Sequence, residues 1–480
     1  MRRQKQGFSQ GHDTMDGNME TTADSLAGVP IARLETVRAR EAATYAARRP
    51  RTQAALAGGT EAWLDGVPMH WMKDWPMPFP MLVAQARKAR LTDLDGHRID
   101  DFCLGDTGSM FGHSPAPVAR AIRRQARAGL TYMLPTETAL EAGRLLCERF
   151  GAFRWQIATT ATDANRFAMR VARAVTGRPK VLVFNGCYHG TVDEAMVALY
   201  EGQTVARPGL TGQVADLTRT AVAVEFNDLA GVEAALATGE VAAILTEPVM
   251  TNSCMVLPDP GFHEGLRALS RQYGALLIID ETHTISSGLG GYTAVHGLDP
   301  DIFVAGKCVA GGMPTAIWGL RDDVATRFAA YDATRPAGHS GMGTTLSANP
   351  MQFACLRATL SEVMTPEAYA HMEAGAARLE AGLAAAIARA GAPWHVVRVG
   401  ARVEFICAPG PLRNGTEAGA AHQPALEAVI HTCLLNRGCL IAPFHNMMLV
   451  SPVTTMKQVD RLIAAFDATL ALLFGPDEAQ

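Results

Sequence analysis

Short apolar segments alternate with longer helical segments through the middle of the chain, between about residues 105 and 345. Apolar strands that alternate with helices are typical of a mostly parallel sheet with helices on both faces. The pattern therefore predicts an α/β fold, and it constrains the architecture more than any other feature of the sequence. The predicted strands are KVLVFN (180–185), TAVAVEFN (220–227), VAAILTEPV (241–249), ALLIIDE (275–281), DIFVAGK (301–307) and TAIWGL (315–320).

The pattern changes on both sides of this region, which indicates further segments. We predict a disordered leader (1–34), an N-terminal segment that joins a small domain (35–104), a large α/β domain (105–345) and a smaller C-terminal α+β domain (346–480). Within the second segment, Asp95 and Gly96 are the favoured residue pair of a type I′ turn, so a β-hairpin is expected there.

Composition limits the classes of partner. The 480 residues carry a net charge of −4 and no long basic block, so we expect no nucleic-acid partner. No apolar run reaches the ~18 residues of a membrane span, and the polar N-terminus lacks the apolar segment of a signal peptide. The nine cysteines contain no CxxC pair. We therefore expect a cytoplasmic protein without membrane contact, disulfide framework or metal site.

Four polar residues stand where predicted strands end: Asn185, Glu247, Asp280 and Lys307. Ligands of open α/β sheets bind beyond the carboxyl ends of the strands, so these side chains are expected to meet at one edge. Lys307 is one of only 6 lysines, against 37 arginines, and lies in the apolar stretch FVAGKCVAGGMP. Because arginine stays protonated, a lysine here indicates amine chemistry. The alternatives are a lysine that only closes a strand and an Asp280 that caps a helix or forms a buried ion pair.

An amine and a carboxylate at one sheet edge are the two groups that pyridoxal phosphate (PLP) requires of a protein. The amine forms an imine with the cofactor aldehyde, and the carboxylate keeps the pyridine nitrogen protonated so that the ring can accept carbanion charge. Lys307 and Asp280 are the candidates for these catalytic roles.

Eight short motifs follow one another along residues 85–460. They are MFGHSPAPV (110–118), LPTE (134–137), ATDAN (161–165), YHG (188–190), EPV (247–249), DETHTI (280–285), the Lys307 stretch and TTLSANP (344–350). In this order they resemble the class III (ω-) aminotransferases, most of all the branch of glutamate-1-semialdehyde aminomutases and β-amino-acid aminotransferases. The resemblance implies PLP fold type I, with a large mostly parallel domain and a smaller α+β domain, in a homodimer with shared active sites.

The resemblance also implies individual roles at the cofactor ring. Lys307 would bind the cofactor and then move a proton between it and the substrate carbon, and Asp280 would pair with the pyridinium. Tyr188 would stack on the ring, unless it is an ordinary half-buried aromatic, and His189 would shape the turn beneath it. Glu247 belongs to the EPV motif of the cofactor site.

Further positions match the family around the phosphate and the phenolic oxygen. Ala161 and Thr162 would hold the phosphate at a helix N-terminus, where a plain helix cap is compatible with the same residues. Thr345 matches a threonine that reaches the phosphate in the neighbouring subunit. Asn252 matches an asparagine near the phenolic oxygen in the aminomutase branch.

The sequence departs from the family in three motifs that bear on these roles: ATDAN, DETHTI and the aminomutase entrance segment. Ala161 replaces a glycine, and Thr282 replaces a valine that packs on the ring. His283 replaces a glutamine or methionine; we hypothesise that it donates to the phenolic oxygen and tunes imine protonation, with a structural histidine as the alternative. The aminomutase segment GGVNSPVR is absent, and LDGVPMHWMKDWPMPFP stands in its place.

Two residues are candidates for substrate contact. Arg402 offers a bidentate site for a carboxylate, although Glu404 shares its strand face and a structural ion pair is the alternative. Trp71 is either an aromatic wall of the pocket or a core anchor. We predict an aminotransferase that moves an amino group between an ω- or β-amino compound and a keto acid by a ping-pong mechanism. A glutamate-1-semialdehyde-type aminomutase and a lyase that eliminates ammonia or another β-substituent are the alternatives.

Overall fold

The computed structural model describes residues 25–443 and 445–476. The strands are β1 (Ser25–Leu26), β2 (Val29–Pro30), β3 (Val83–Arg87), β4 (Arg90–Asp93), β5 (Arg98–Asp101), β6 (Arg154–Ala158), β7 (Lys180–Phe184), β8 (Val197–Tyr200), β9 (Gln203–Ala206), β10 (Ala221–Val224), β11 (Val241–Thr246), β12 (Leu276–Asp280), β13 (Ile302–Ala305), β14 (Ala316–Leu320), β15 (His395–Val399), β16 (Arg402–Ile406), β17 (Cys439–Leu440) and β18 (Met447–Leu449). The α-helices are α1 (Ile31–Ala47), α2 (Pro50–Leu56), α3 (Ala116–Gln125), α4 (Glu137–Phe150), α5 (Ala161–Thr176), α6 (Leu229–Ala237), α7 (Phe262–Tyr273), α8 (Gly291–His296), α9 (Asp322–Asp332), α10 (Pro350–Ala358), α11 (Pro366–Ala390), α12 (Gly415–Ala421), α13 (Pro424–Asn436) and α14 (Met456–Phe474).

A central sheet of seven strands in the order β10-β7-β11-β12-β13-β14-β6 confirms the predicted α/β fold. The first five strands are parallel, and β14 and β6 run antiparallel to their neighbours. All six predicted strands lie in this sheet. The edge strand β6 is an addition, and its alternating burial explains why it does not read as a continuous apolar run.

The sheet is buried on both faces, as its apolar strands require. One face packs on α5 through residues such as Phe167 and Val171, in a core that also holds the side chains of β7 and β11. On the other face Phe303 contacts an aromatic group formed by Phe150, Phe153 and Trp155. The helices thus hold β11, β12 and β13 in fixed register, which fixes the positions of their carboxyl ends.

The C-terminal part forms an antiparallel sheet, β15-β16-β18, packed on α11, α13 and α14. A second sheet, β17-β5-β4-β3, pairs a C-terminal strand with three strands of the N-terminal segment. In the described part of the chain, no helix combines the length and the apolar character that crossing a membrane would need. The domain limits given above stay a prediction.

Two local predictions need correction. The predicted leader lies outside the described residues up to residue 24, but residues 25–34 form the β1-β2 hairpin and the start of α1 because Val29 and Leu34 are buried in the small-domain core. The β4-β5 hairpin exists, but only Gly96 of the predicted turn pair has a positive φ, of +91°, so the turn is not type I′. Asp95 instead accepts hydrogen bonds from the backbone N–H groups of Arg51 and Thr52 at the start of α2.

Candidate active site

The parallel strands β11, β12 and β13 end side by side at a cavity of about 400 Å³. Glu247, Asp280 and Lys307, which follow or end these strands, all line it. The predicted meeting of strand-end residues is thus found for three of the four. Asn185 follows β7, the neighbour of β11 in the sheet, but it does not line the cavity, and its amide donates to Glu225 and Thr416 instead.

Asp280 is a buried carboxylate held in a fixed orientation. Its side chain accepts hydrogen bonds from Asn165 Nδ2 at 2.8 Å and from the backbone N–H of Thr282 at 3.0 Å, and its Oδ2 lies 3.0 Å from His189 Nδ1. Burial opposes ionisation, but the hydrogen bonds from His189, Thr282 and Asn165 lower the pKa of Asp280 below its usual value. Asp280 therefore stays ionised at the end of an apolar strand, as the partner of a cation must.

Lys307 does not end the strand itself. β13 stops at Ala305, and Lys307 begins a 3₁₀ turn with a left-handed φ of +50°, which carries its side chain to the sheet edge. Its Nζ donates to Asp106 Oδ2 at 2.6 Å and lies 2.7 Å from His283 Nε2. The amine is thus oriented by two polar partners from two other segments.

The N-terminus of α5 forms another wall of the cavity. Thr160 is the N-cap and accepts a hydrogen bond from the Asp163 N–H at 3.1 Å, while Thr162 accepts one from the Thr191 N–H at 3.2 Å. Gly190 has a φ of +80°, and a Cβ there would overlap the Thr162 side chain. The absence of that Cβ keeps this helix end open toward the cavity, where its free backbone donors favour an anion.

Tyr188 and His189 line the same cavity on the side facing α5. Tyr188 is 40 % exposed, so its ring is available to a ligand, whereas His189 is buried against Asp280. Glu247 is buried, and burial raises its pKa to about 7, with His189 and Thr251 partly opposing this. Its Oε2 accepts from Thr251, while its Oε1 has no hydrogen-bond partner in the described structure.

His283 connects Lys307 to Arg402. Its Nδ1 lies 2.8 Å from Arg402 Nη2 and 3.0 Å from Thr107 Oγ1. Because Arg402 can only donate, Nδ1 accepts, and the proton of the neutral ring lies on Nε2. A Lys307 nitrogen with a free lone pair can accept this proton, whereas an ammonium cannot. Burial, reinforced by the charge of Lys307, holds the pKa of His283 well below its usual range, so the ring is neutral.

Arg402 lies on β16, as predicted, and is only 1 % exposed. In the described structure it forms no salt bridge with Glu404, and its Nε and Nη1 have no hydrogen-bond partner. Burial raises the pKa of Glu404 to about 8, and its carboxyl lies 3.8 Å from His445 Nδ1. The alternative of a structural Arg402–Glu404 ion pair is therefore wrong. Arg402 reaches the site through Thr107 and His283 and does not itself line the cavity.

Three predicted site residues are not brought to this cavity. Trp71 lines a separate apolar cavity of about 480 Å³ together with Trp63 and Trp75. Asn252 lies beside Thr251, with its amide 3.4 Å from the Thr251 hydroxyl. Thr345 is exposed on the surface of the chain. Their proposed roles stay predictions.

Asp106 and Thr107 are the site residues that sequence reasoning missed. They belong to a loop ahead of the MFGHSPAPV motif, with no strand or helix periodicity to place them. The motif itself was the available signal, because it starts three residues after Thr107.

The residues present fit PLP. Asp280 is an oriented, ionised acceptor for the pyridine N–H, the α5 N-terminus offers donors to a phosphate, and Lys307 supplies the amine. The buried Thr282 Oγ1, on a cavity-lining residue, has no partner among the described groups. A large, mostly parallel sheet with this site at its carboxyl edge defines a fold type I PLP-dependent enzyme.

The chain belongs to the class III aminotransferases, whose family model matches residues 72–470. It is 34 % identical over 403 residues to glutamate-1-semialdehyde 2,1-aminomutase of Desulforudis audaxviator, which covers 82 % of this chain and 91 % of the relative.

Two solved structures share the fold over nearly the whole chain. A glutamate-1-semialdehyde aminomutase from Pseudomonas aeruginosa PAO1 is 48 % identical with a TM-score of 0.91, covering 93 % of this chain and 100 % of that one. A lysine-to-alanine variant of it was solved in complex with PMP. A β-phenylalanine aminotransferase from Variovorax paradoxus is 29 % identical with a TM-score of 0.79, covering 91 % of this chain and 97 % of that one. The predicted family, fold type and PLP cofactor are confirmed.

Proposed function

We propose that this PLP-dependent enzyme moves an amino group between two carbons of one small, carboxylate-bearing substrate, as glutamate-1-semialdehyde aminomutases do. The observation that carries the proposal is the similarity to proteins of that name over four fifths or more of the chain, at 34 % and 48 % identity. It reverses the order of the predicted functions, in which the aminotransferase came first and the aminomutase second.

The chain's own residues support amino-group chemistry on an acid. Arg402 is a buried cation behind Thr107 and His283, with no carboxylate partner in the described structure, so its charge favours an acidic substrate on this side of the site although it does not line the cavity. Lys307 is held between His283 and Asp106, where its Nζ can move a proton to and from the substrate carbon.

Other residues hold the cofactor and set its electronics. PLP, when bound, supplies the electron sink for carbanion charge. Asp280 keeps the ring nitrogen protonated, and Asn165 and His189 keep Asp280 in place. Tyr188 covers the ring, Ala161 and Thr162 receive the phosphate, and His283 directs its Nε2 proton toward the phenolic oxygen. Glu247 forms the wall on the β11 side, and Asn252, which lies next to Thr251 outside the cavity lining, would approach the phenolic oxygen only from behind that wall.

A second candidate is an aminotransferase that uses an ω- or β-amino compound and a keto acid. The segment LDGVPMHWMKDWPMPFP favours it, because the aminomutase branch has GGVNSPVR there. This segment holds Trp71 and Trp75, which line the separate apolar cavity of about 480 Å³, so it differs from the aminomutase segment in its sequence and in the aromatic surface that it offers. The similarity to a β-phenylalanine aminotransferase is in line with this.

One incubation separates the two candidates. Purified enzyme is mixed with candidate amino acids, and the cofactor spectrum and products are followed with and without pyruvate or 2-oxoglutarate. Turnover of glutamate-1-semialdehyde without any keto acid supports the aminomutase. A spectrum that converts fully with an amine, and returns only when a keto acid is added, would overturn it in favour of the aminotransferase.

The proposal includes a cytoplasmic homodimer with shared active sites. Thr345 is exposed, and Leu130, Met133 and Leu134 are exposed in another segment, so apolar surface is available for a second copy. In such a dimer Thr345 would reach the phosphate site of the partner.

A further inference from the structure

The loop that carries Asp106 has an unusual backbone. Leu104, Gly105, Asp106 and Thr107 are consecutive residues with positive φ, at +47°, +59°, +48° and +78°. Non-glycine residues rarely adopt this region, and runs of it persist only where the surrounding structure enforces them, typically at functional sites. This strained backbone places the Asp106 carboxylate against Lys307 and the Thr107 hydroxyl against His283.

Asp106 is the carboxylate in contact with the reacting amine. Its Oδ2 lies 2.6 Å from Lys307 Nζ, while its Oδ1 is buried and has no hydrogen-bond partner in the described structure. Its side chain as a whole is 37 % exposed, and the adjacent Gly105 of the same loop lines the cavity together with Lys307. Asp280, the other site carboxylate, is held by Asn165 and His189.

The charges around Asp106 favour its ionised form. Burial opposes ionisation, but Lys307 and three further groups hold the pKa of Asp106 well below its usual range. Six titratable or charged groups face it, one of them, Cys103, from its own loop and the other five from other segments: Cys103, Tyr188, His283, Lys307, Arg402 and His445. Asp106 is therefore an anion whose nearest cation is the catalytic lysine.

Linking Lys307 to the cofactor changes this balance. The lysine nitrogen is then bonded to the cofactor and no longer provides a free ammonium, although Asp106 keeps its charge. The linked nitrogen offers Asp106 at most one N–H in place of the three of a free ammonium, so the partly buried carboxylate is less well compensated and the site attracts another ammonium group. The substrate arrives as an ammonium ion, and its nitrogen must reach the position that Lys307 Nζ leaves.

We propose that Asp106 is the binding site for whichever amine is not linked to the cofactor, first the substrate ammonium and then the released Lys307. In this exchange the substrate nitrogen forms a bond to the cofactor carbon and the bond from Lys307 Nζ to that carbon breaks. With the linked nitrogen protonated before and after the exchange, two protons pass from the incoming ammonium to the lysine, which leaves as an ammonium, with no oxidation or reduction. The Asp106 carboxylate contacts both nitrogens and thus lies on the path of these protons. The proposal rests on the PLP enzyme class and holds for either candidate function.

Two small amines of similar size test the proposal on the PLP-loaded enzyme. Methylamine is protonated near neutral pH, whereas methoxyamine is neutral, and both exchange with the lysine and change the visible spectrum. In Asp106→Asn we expect exchange with methylamine to slow by about tenfold, the effect of losing a charge-assisted contact. Exchange with methoxyamine should stay within about twofold of wild type, because no ammonium ion is bound.

A substrate-free measurement gives a second readout. A carboxylate beside the linked nitrogen stabilises its protonated form, so the pH midpoint of the visible band should fall by about one unit in Asp106→Asn. Asp106→Glu should keep most of the midpoint and of the methylamine rate. It also serves as the readable variant if Asp106→Asn folds poorly. Asp332→Asn, which removes an exposed carboxylate paired with Arg335, is the matched control.

The two amines together distinguish an amine-binding role of Asp106 from a structural one. Equal slowing with both amines would mean a structural role for Asp106 and would overturn the proposal, as would unchanged exchange with both. Neither probe is a substrate of the proposed reaction, so failure of the aminomutase assignment leaves this test readable.

Discussion

At the scale of single residues, the assignment of Lys307 as the cofactor-binding lysine is the one that an experiment can test most directly. Its amine faces a cavity bounded by Asp280, Tyr188 and the start of α5, which are the groups that bind a pyridine ring and a phosphate. We expect Lys307→Ala to lose the visible lysine–cofactor band and to lower the turnover rate by at least about 10³-fold, since both the linkage and the proton carrier are removed. Absorbance spectra and steady-state rates measure the two effects.

The control for this substitution is Lys180→Ala. Lys180 pairs with Glu240 at the start of β7, outside the cavity, so its loss should leave both the spectrum and the rate near wild type. A Lys307→Ala protein that is yellow and active would contradict the assignment of the whole site.

Glu404 gives a prediction about stability and pH. Burial raises its pKa from 4.5 to about 8 in the folded protein. An acid whose folded pKa is raised binds its proton more tightly when folded. Its stabilising contribution is thus complete below about pH 4.5 and is lost as the pH rises through 8. The loss amounts to several kcal/mol by the rule of about 1.4 kcal/mol per unit.

Glu404→Gln keeps the shape and removes this titration. We expect its free energy of unfolding to fall less than that of wild type between pH 5 and pH 9, as measured by urea denaturation at a series of pH values. Identical pH dependence in the two proteins would show that Glu404 is ionised in the folded state.

At the scale of elements, the contact between α5 and the end of β13 explains the alanine that replaces a family glycine. Ala161 begins α5, and a Cβ added to Gly306 would lie 2.9 Å from the Ala161 Cβ. The contact therefore has room for the Ala161 methyl group only while residue 306 is glycine. Gly306 itself has a negative φ of −136°, so alanine is excluded there by space and not by backbone conformation.

A pair of substitutions tests whether the contact between residues 161 and 306 controls cofactor binding. We expect Gly306→Ala to weaken PLP binding by about tenfold or more, because the phosphate-binding helix end and the Lys307 turn must separate. Adding Ala161→Gly should restore most of the affinity, as measured by PLP titration of the apoprotein. Absence of rescue in the double variant would mean that the contact does not control the site.

The elements that the sequence predicted well are those that are buried on both faces. Continuous apolar runs form the six strands β7, β10, β11, β12, β13 and β14. The ends of three of them predicted that Glu247, Asp280 and Lys307 lie at one edge of the sheet. β6 was missed because it is half exposed. Asp106 and Thr107 were missed for a different reason: their position depends on left-handed loop geometry and on contacts with Lys307 and His283, about 200 and 180 residues away. No periodicity in the sequence encodes such contacts.

At the scale of the whole molecule, the open question is whether one chain makes a complete site. The cavity at Lys307 is walled by β11, β12, β13 and α5 of the same chain, but the TTLSANP motif leaves Thr345 exposed. Two Ser347 contacts, to Thr159 at 3.1 Å and to Thr344 at 2.8 Å, hold the motif beside the phosphate end of the cavity. A second copy, related by a two-fold axis, would let each Thr345 face the other chain's phosphate site.

Mixed dimers test this arrangement directly. Lys307→Ala and Thr345→Ala proteins are prepared separately, unfolded together in denaturant and refolded as a mixture. If each site combines Lys307 of one chain with Thr345 of the other, one site of every hybrid dimer has both natural residues. The mixture should then regain about a quarter of wild-type activity, because half of the dimers formed at random are hybrids. The experiment is informative only if Thr345→Ala alone has lowered activity. PLP titration at low cofactor concentration shows beforehand whether this variant binds the cofactor more weakly. If Thr345 instead serves the site of its own chain, every site of a hybrid carries one substitution, because one chain lacks Lys307 and the other lacks Thr345. No site is then intact. Activity above the sum of the two separate proteins therefore requires shared sites, and its absence excludes them.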